Sequence, residues 1–579
     1  MKKILLLLLV LIAAYFWLAQ DFNKAALTYY YNGNIITLND EMPRAESMVV
    51  ENGLIIEIGD SIPSEHFKNR VDLEGATVLP GFIDSHSHVA LSSFLESMVD
   101  LSGFTHSSDR AVWAYLKQEV ANYEPGEWII CKGLDPILVA DLQTPDIQFL
   151  DALAPDNPVM ILSQSLHTYW ANSLAFEKAE ISRDTVSPSE SSYYEKDSQG
   201  NLTGLIVEQE ALLPFYEIML KEALTSSVLL DSTVKVMQGY AQNGNTTVVS
   251  AGISITNAKP LRLYQHLSDQ KPVFLNQLLS KLGFLPEREA NPRHFLYMRH
   301  DRVELLPENK TENDFYNILG VKHWYDGSPY TGSMYLQKPY LDSDLTRNGL
   351  HIAPGYAGKA LLAPGELQNF IKQYHQQGWQ IAVHAQGDQA NHEVVQAFAD
   401  VNQTMDVTSG RHRIEHALMI STDSLNELHN MGMSANFHTN HLYYYGQALQ
   451  QDILGTRRAG AMLPIAFAQG IGMQYSMHAD QPMFESKPFH LMQTAIERKT
   501  KEGTTIGIEH SIQVDSALKA MTIQAAWQIG MENKIGSLEQ GKYADFIVVD
   551  ADPYAVPLEK IKDIKVQKTF VHGNEIITP

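Results

Sequence analysis

Seven apolar, strand-like runs recur through the middle of this chain, "VMILSQ", "TTVVSAG", "LGVKHWYDG", "WQIAVHAQGD", "RHRIEHAL", "MGMSANFH" and "GMQYSMHAD", each separated from the next by helical stretches. Runs that stay apolar, rather than alternating with polar residues, belong to strands buried on both faces. Strands that alternate with helices build a parallel sheet. The region is long enough for a (β/α)₈ TIM barrel with insertions, and the expected α/β barrel covers 81–534. Within it, Ser187 to Gly200 and Glu287 to Glu312 are rich in polar and turn-forming residues and read as surface insertions.

The chain ends have a different texture. From Thr28 to Leu79, short β-rich runs are broken by turn signals, with Asn32-Gly33 and Asn52-Gly53 marking hairpins. "ADFIVVDAD" and "VQKTFVHGNEI" near the other end are alike, the second with a Gly573-Asn574 turn. Residues 28–80 and 535–579 are therefore expected to form one small β-sandwich. At 579 residues, burying a core is no obstacle. A formal charge of −24 repels nucleic acid and acidic membrane surfaces, which excludes phosphate-reading roles. The single cysteine, Cys131, reads as a small buried apolar residue.

Lys2 and Lys3 precede an unbroken apolar run from Ile4 to Ala19, the pattern of a signal peptide or signal anchor within residues 1–20. Its length lies between a signal-peptide core and a spanning helix. Cleavage after Ala19 would put Trp17 where a small residue is needed, which favours an uncleaved anchor. The expected location is exported and membrane-anchored, facing the periplasm or exterior, with the membrane met through this segment only.

"GFIDSHSHV" sets His86 and His88 two apart at the end of an apolar run, so both imidazoles leave one face of a strand and can chelate one ion. With 22 histidines in the chain, about one such pair arises by chance, so the pair alone decides little. His384, His416 and Asp480 also close strand-like runs, where barrel enzymes place their chemistry. The interval from 384 to 416 fits one βα unit and that from 416 to 480 fits two. Asp480 is the most informative, because a carboxylate closing a buried run is costly unless it is paired or binds metal. The set implies one or two divalent metals per chain, with zinc expected.

These residues, with "LPGFIDSHSH", "WANS", "TGLIVE", "GVKHWYDGS", "HAQGDQA", "NHLYYYG" and "GSLEQGKYADFIVVDADP", resemble the amidohydrolase superfamily, and within it the YtcJ-like group of amidohydrolase family 3. The resemblance implies that His86 and His88 bind one metal and His384 and His416 a second. Asp480 would touch the first metal and move protons as the catalytic residue. A bridging ligand is implied too: Lys322, where related enzymes carry a carboxylated lysine, is preferred over Glu208 of "TGLIVE". The implied reaction is hydrolysis of a non-peptide C–N bond in a small molecule. An ester, lactone or amidine hydrolase on the same site is the first alternative, and an anchored binding protein without catalysis the second. The chain departs from the family pattern at Ser165-Leu166-His167, where relatives often have Asp-Gly-His, and at Cys131, where glycine is common. His167 and Tyr444 are candidate substrate contacts, with Tyr443 and Tyr445 beside Tyr444 open to either pocket lining or core packing.

Overall fold

The computed structural model describes residues 25–577 apart from 61, 64–66, 140, 190, 191, 254, 256, 257, 272, 309 and 311. The expected membrane segment lies outside the described residues, among which no helix is long and apolar enough to cross a membrane. The chain divides into two compact units, one of them formed by Leu91–Thr233 with Asn348–Leu350.

The larger unit holds eight parallel strands that follow one another around a single sheet in chain order. They are β1 (Phe82–Ser87), β2 (Asn245–Ile253), β3 (Arg293–Arg299) and β4 (Tyr316–Trp324), then β5 (Gln380–Ala385), β6 (Arg413–His416), β7 (Ser434–Phe437) and β8 (Tyr475–Met477). Every neighbouring pair is parallel. Among the described residues no hydrogen-bonded ladder joins β8 back to β1, so the barrel is nearly closed. Helices such as Pro364–Gln376 and Asp388–Asn402 separate the strands and cover the outer face. Burial is nearly complete along β2, β5 and β6, so these strands show no alternation of buried and exposed positions, and the polar residues they carry are buried with the apolar ones.

Two expectations change. The run "VMILSQ" is not a barrel strand. Val159–Ser163 is a central strand of the smaller unit, between Ile129–Leu134 on one side and antiparallel Thr168–Ala171 on the other. A central strand buried on both faces has the same apolar signature in either kind of sheet, so composition could not separate them. Conversely, the stretch from Glu287 to Glu312, read as a surface insertion, contains β3, which is buried along almost its whole length. Its polar character comes from side chains with partners. Arg293 donates to both oxygens of Asp545 at 2.7 and 2.9 Å, and the His294 ring meets Ser250 Oγ at 2.7 Å.

The smaller unit is built on six strands in the order Tyr193–Lys196, Leu202–Val207, Thr168–Ala171, Val159–Ser163, Ile129–Leu134, Val99–Asp100. Cys131 is fully buried there, as its sequence context suggested. In the larger unit, the two chain ends share a sheet. Asn574–Glu575, Val566–Val571 and Phe546–Val549 pair onward to Thr77–Pro80, Asn34–Ile36 and Arg44–Ala45. A second sheet, Leu54–Gly59, Ser47–Glu51, Thr28–Tyr31 and Arg70–Asp72, joins it through one core that includes Tyr30, Met48, Val78, Phe546 and Phe570. Asn52 and Gly53, both at positive φ, close the hairpin between Ser47–Glu51 and Leu54–Gly59. Asn32-Gly33 does not close a hairpin, because the strands on either side of it belong to different sheets.

Candidate metal centre

Barrel strands end at one mouth, and β1 brings His86 there from a fully buried position. Its Nδ1 lies 2.5 Å from Glu415 Oε2, on β6. A carboxylate only accepts, so the ring proton sits on Nδ1 and Nε2 keeps its lone pair. That Nε2 faces Asp480 Oδ1 at 3.2 Å, and His88 Nε2 approaches the same oxygen to 3.1 Å. An unprotonated ring nitrogen and a carboxylate oxygen both present lone pairs, so their approach calls for a shared cation.

His416, at the end of β6, completes this group: ligating atoms of His86, His416 and Asp480 lie within 4.8 Å of one another. Its ring is 4.4 Å from that of His384, on β5. His384 is aimed by Asp326, whose Oδ1 meets Nδ1 at 3.0 Å. Asp326 is itself fixed by the backbone amides of Gln386, Gly387 and Tyr335. A carboxylate behind each of two imidazoles is the usual means of orienting ligand histidines and raising their basicity. His416 and Asp480 both have positive φ, at 70° and 58°. Such conformations cost on the order of 1–3 kcal/mol each for non-glycine residues and concentrate at functional sites.

The electrostatics favour cation binding. Burial first, then the neighbouring His384, holds His416 well below the usual imidazole range. Burial and then Lys322 lower His86. Metal ligands must be neutral imidazoles, so these directions suit the role. For Asp480, burial raises the carboxyl, and positive charge at His416, His86 and His88 outweighs it and holds Asp480 well below the ordinary carboxylate range; with these rings neutral, a bound cation would supply that charge. Burial likewise opposes ionisation of Glu415, and Arg413 ahead of His86 overcomes it.

Lys322 on β4 is fully buried, and its Nζ has no hydrogen-bond partner. Burial pushes it down to about 8, against the pull of Glu415 and Asp480. His86 Nε2 and Asp480 Oδ1 are also buried without hydrogen bonds, as are both ring nitrogens of His478. Native proteins rarely leave buried polar atoms unsatisfied, so this cluster fits a divalent cation.

Glu208 and His167 are brought to each other rather than left apart: Nδ1 of His167 is 3.1 Å from Glu208 Oε2, with both side chains more than two-fifths exposed in the smaller unit. Tyr444 lies on the helix Asn440–Ala448 and stacks on Phe484 at 5.0 Å. Three members of the cluster escaped the sequence reading as ligands or supports, namely Glu415, Asp326 and His438. His438 follows β7 and groups with His416 and His478. Each lies in or directly after a strand-like run already singled out. A carboxylate or imidazole at the end of any buried run was the available signal.

A nearly closed parallel barrel that gathers histidines and an aspartate at its strand ends defines the class of metal-dependent hydrolases. The chain belongs to the amidohydrolase family, whose family 3 profile matches residues 70–577. It is similar to the protein LONG AFTER FAR-RED 3 of Arabidopsis thaliana, at 26% identity over 94% of this chain and 90% of that protein. It is also similar to the N-substituted formamide deformylase of Arthrobacter pascens, at 24% over 94% and 96% of the two chains. The putative amidohydrolase YtcJ of Bacillus subtilis is 25% identical over 94% of this chain and 98% of its own length. The fold matches that of an uncharacterised metal-dependent hydrolase from Pyrococcus horikoshii with a TM-score of 0.69, 22% identity, and coverage of 92% and 99%.

Proposed function

We propose that this protein is a hydrolase of non-peptide C–N bonds, acting on an N-acyl or N-formyl small molecule. The observation that carries the reading is the meeting of His86 Nε2 and His88 Nε2 on Asp480 Oδ1 at 3.2 and 3.1 Å, with Glu415 holding the proton on the far side of His86. His86, His88 and Asp480 would hold one divalent ion, zinc by the preference of imidazole and carboxylate donors, and His384 with His416 a second. Lys322, as its carbamate, is the proposed bridge. An amine must be neutral to take up carbon dioxide, and one lowered to about 8 is partly neutral at physiological pH. Glu208 is already engaged with His167, which supports Lys322 over it.

When bound, such ions supply Lewis acidity that lowers the pKa of water toward ~7 and polarises the scissile carbonyl. Asp480, ionised beside the positive charge that its site is built to hold, accepts the proton of the attacking water and returns it to the leaving nitrogen. The formamide deformylase among the similar proteins supports N-formyl compounds as the first substrates to try. We further propose that the apolar run Ile4 to Ala19 anchors an exported chain.

The test is turnover by the purified full chain across N-acyl, N-formyl, ester, lactone and amidine compounds, together with elemental analysis. Expected are one to two divalent metals per chain, turnover of an N-acyl or N-formyl compound, loss on chelation and recovery with added metal. Full activity in metal-free protein ends the reading. Turnover confined to esters or lactones moves it to that class, and tight binding without turnover makes the chain a binding module.

A further inference from the structure

The helix Phe274–Lys281 is inside out. Its one fully buried residue is the polar Asn276, while Phe274 and Leu275 face outward. The exposed apolar surface continues beyond the helix through Leu282, 60% exposed, and Phe284, 68% exposed. Scattered exposed leucines are ordinary, but a run of large apolar residues along one short segment marks a contact surface. From Lys271 to Phe284 the sequence carries two lysines and no acidic residue, in a chain whose formal charge is −24. Apolar side chains interspersed with lysines are the composition of segments that lie in a lipid headgroup region, where lysine stems stay in the apolar layer and the amines reach water.

Contacts and chain length bound how far this surface can lie from the point where the N-terminal run joins the described chain. A Cβ on Gly573 would lie 2.8 Å from Cβ of Ala25, the first described residue. Val571 and Ile576, on either side of Gly573, pack against Ala290. Only five residues separate Ala290 from Phe284, a reach of roughly 20 Å even when extended. Ile577, in the same corner, is 78% exposed. Five residues also separate Ala25 from Ala19, the end of the apolar run, a reach of similar size.

We infer that the surface from Phe274 to Phe284, with Ile577, rests in the interface of a lipid bilayer, so that the larger unit is docked on the membrane and not merely tethered to it. This rests on the reading of residues 4–19 as a membrane segment. Because Cys131 is the single cysteine and is buried, a cysteine placed at Phe284 can be labelled selectively. The full chain carrying Phe284→Cys or, as a control, Glu502→Cys would be labelled with an environment-sensitive fluorophore and reconstituted in phosphatidylcholine vesicles containing nitroxide-labelled lipid. The expected result is that the label at 284 is quenched several-fold more than the label at 502, and that Leu275→Glu with Leu282→Glu in the Phe284→Cys background removes the difference. Equal quenching in chains that float with the vesicles overturns the docking while leaving the anchor intact. Failure to float overturns the anchor as well. Protection of the label that depends on protein concentration and not on lipid assigns the surface to a second copy of the chain instead.

Discussion

Asp480 presents one carboxylate oxygen to two imidazoles from a left-handed backbone position, so its replacement should damage chemistry more than folding. Asparagine keeps the shape and one oxygen donor but cannot carry the proton. Asp480→Asn should retain most metal and substrate affinity while kcat falls by about 10²–10⁴, read by steady-state kinetics beside elemental analysis. Weakened metal retention with kcat restored to the wild-type value at saturating metal would make Asp480 a ligand only and turn attention to His478, buried with both ring nitrogens unsatisfied. Lys322→Ala should lose the second metal and recover partly with short carboxylic acids, whereas Glu208→Ala should leave metal content near normal. The opposite pattern transfers the bridge to Glu208. The sign of the pH effect follows from burial. With the Lys322 amine lowered to about 8, the neutral form that takes up carbon dioxide grows as pH rises through that value. With dissolved carbon dioxide held at a constant concentration, reactivation of stripped enzyme should therefore strengthen from pH 7 to pH 9, and a flat or falling profile counts against a carbamate.

Strand β3 shows how one ion pair can tie distant segments together. Arg293 and Asp545 are 252 residues apart and fully or almost fully buried, joined through two hydrogen bonds. Asp545 also accepts the backbone amide of His572, next to the closing hairpin of the sheet that both chain ends share. Removing one member of a buried pair leaves the other charge without compensation, which typically costs about 3–5 kcal/mol. Asp545→Ala should lower the denaturant midpoint accordingly, and adding Arg293→Met should recover much of the loss. Additive losses in the double variant would show that each residue acts through other contacts.

At the scale of the whole molecule, the N-terminal run predicts where the protein is found. The mature chain should keep residues 1–20 and sediment with membranes, as checked by fractionation and N-terminal sequencing. A soluble form beginning after Ala19 would favour a cleaved signal. High salt should leave the association in place, since a chain of charge −24 gains little from electrostatic attraction to anionic lipid.

The convergence of His86, His88, His384, His416 and Asp480 was legible because a barrel brings its strand ends to one mouth, and strand ends can be read from apolar runs. The sequence alone likewise determined the parallel barrel and the β-rich chain ends, since periodicity and turn residues are local properties. It could not separate the central strand Val159–Ser163 from a barrel strand, nor see β3 beneath its arginine and histidine, because partners such as Asp545 lie hundreds of residues away. Tertiary structure decided that Glu415 backs His86, that Asp326 backs His384, and that Glu208 faces His167. Each of these rests on two side chains brought within hydrogen-bonding distance across elements, and such distances are set by how strands and loops pack, which no single segment encodes.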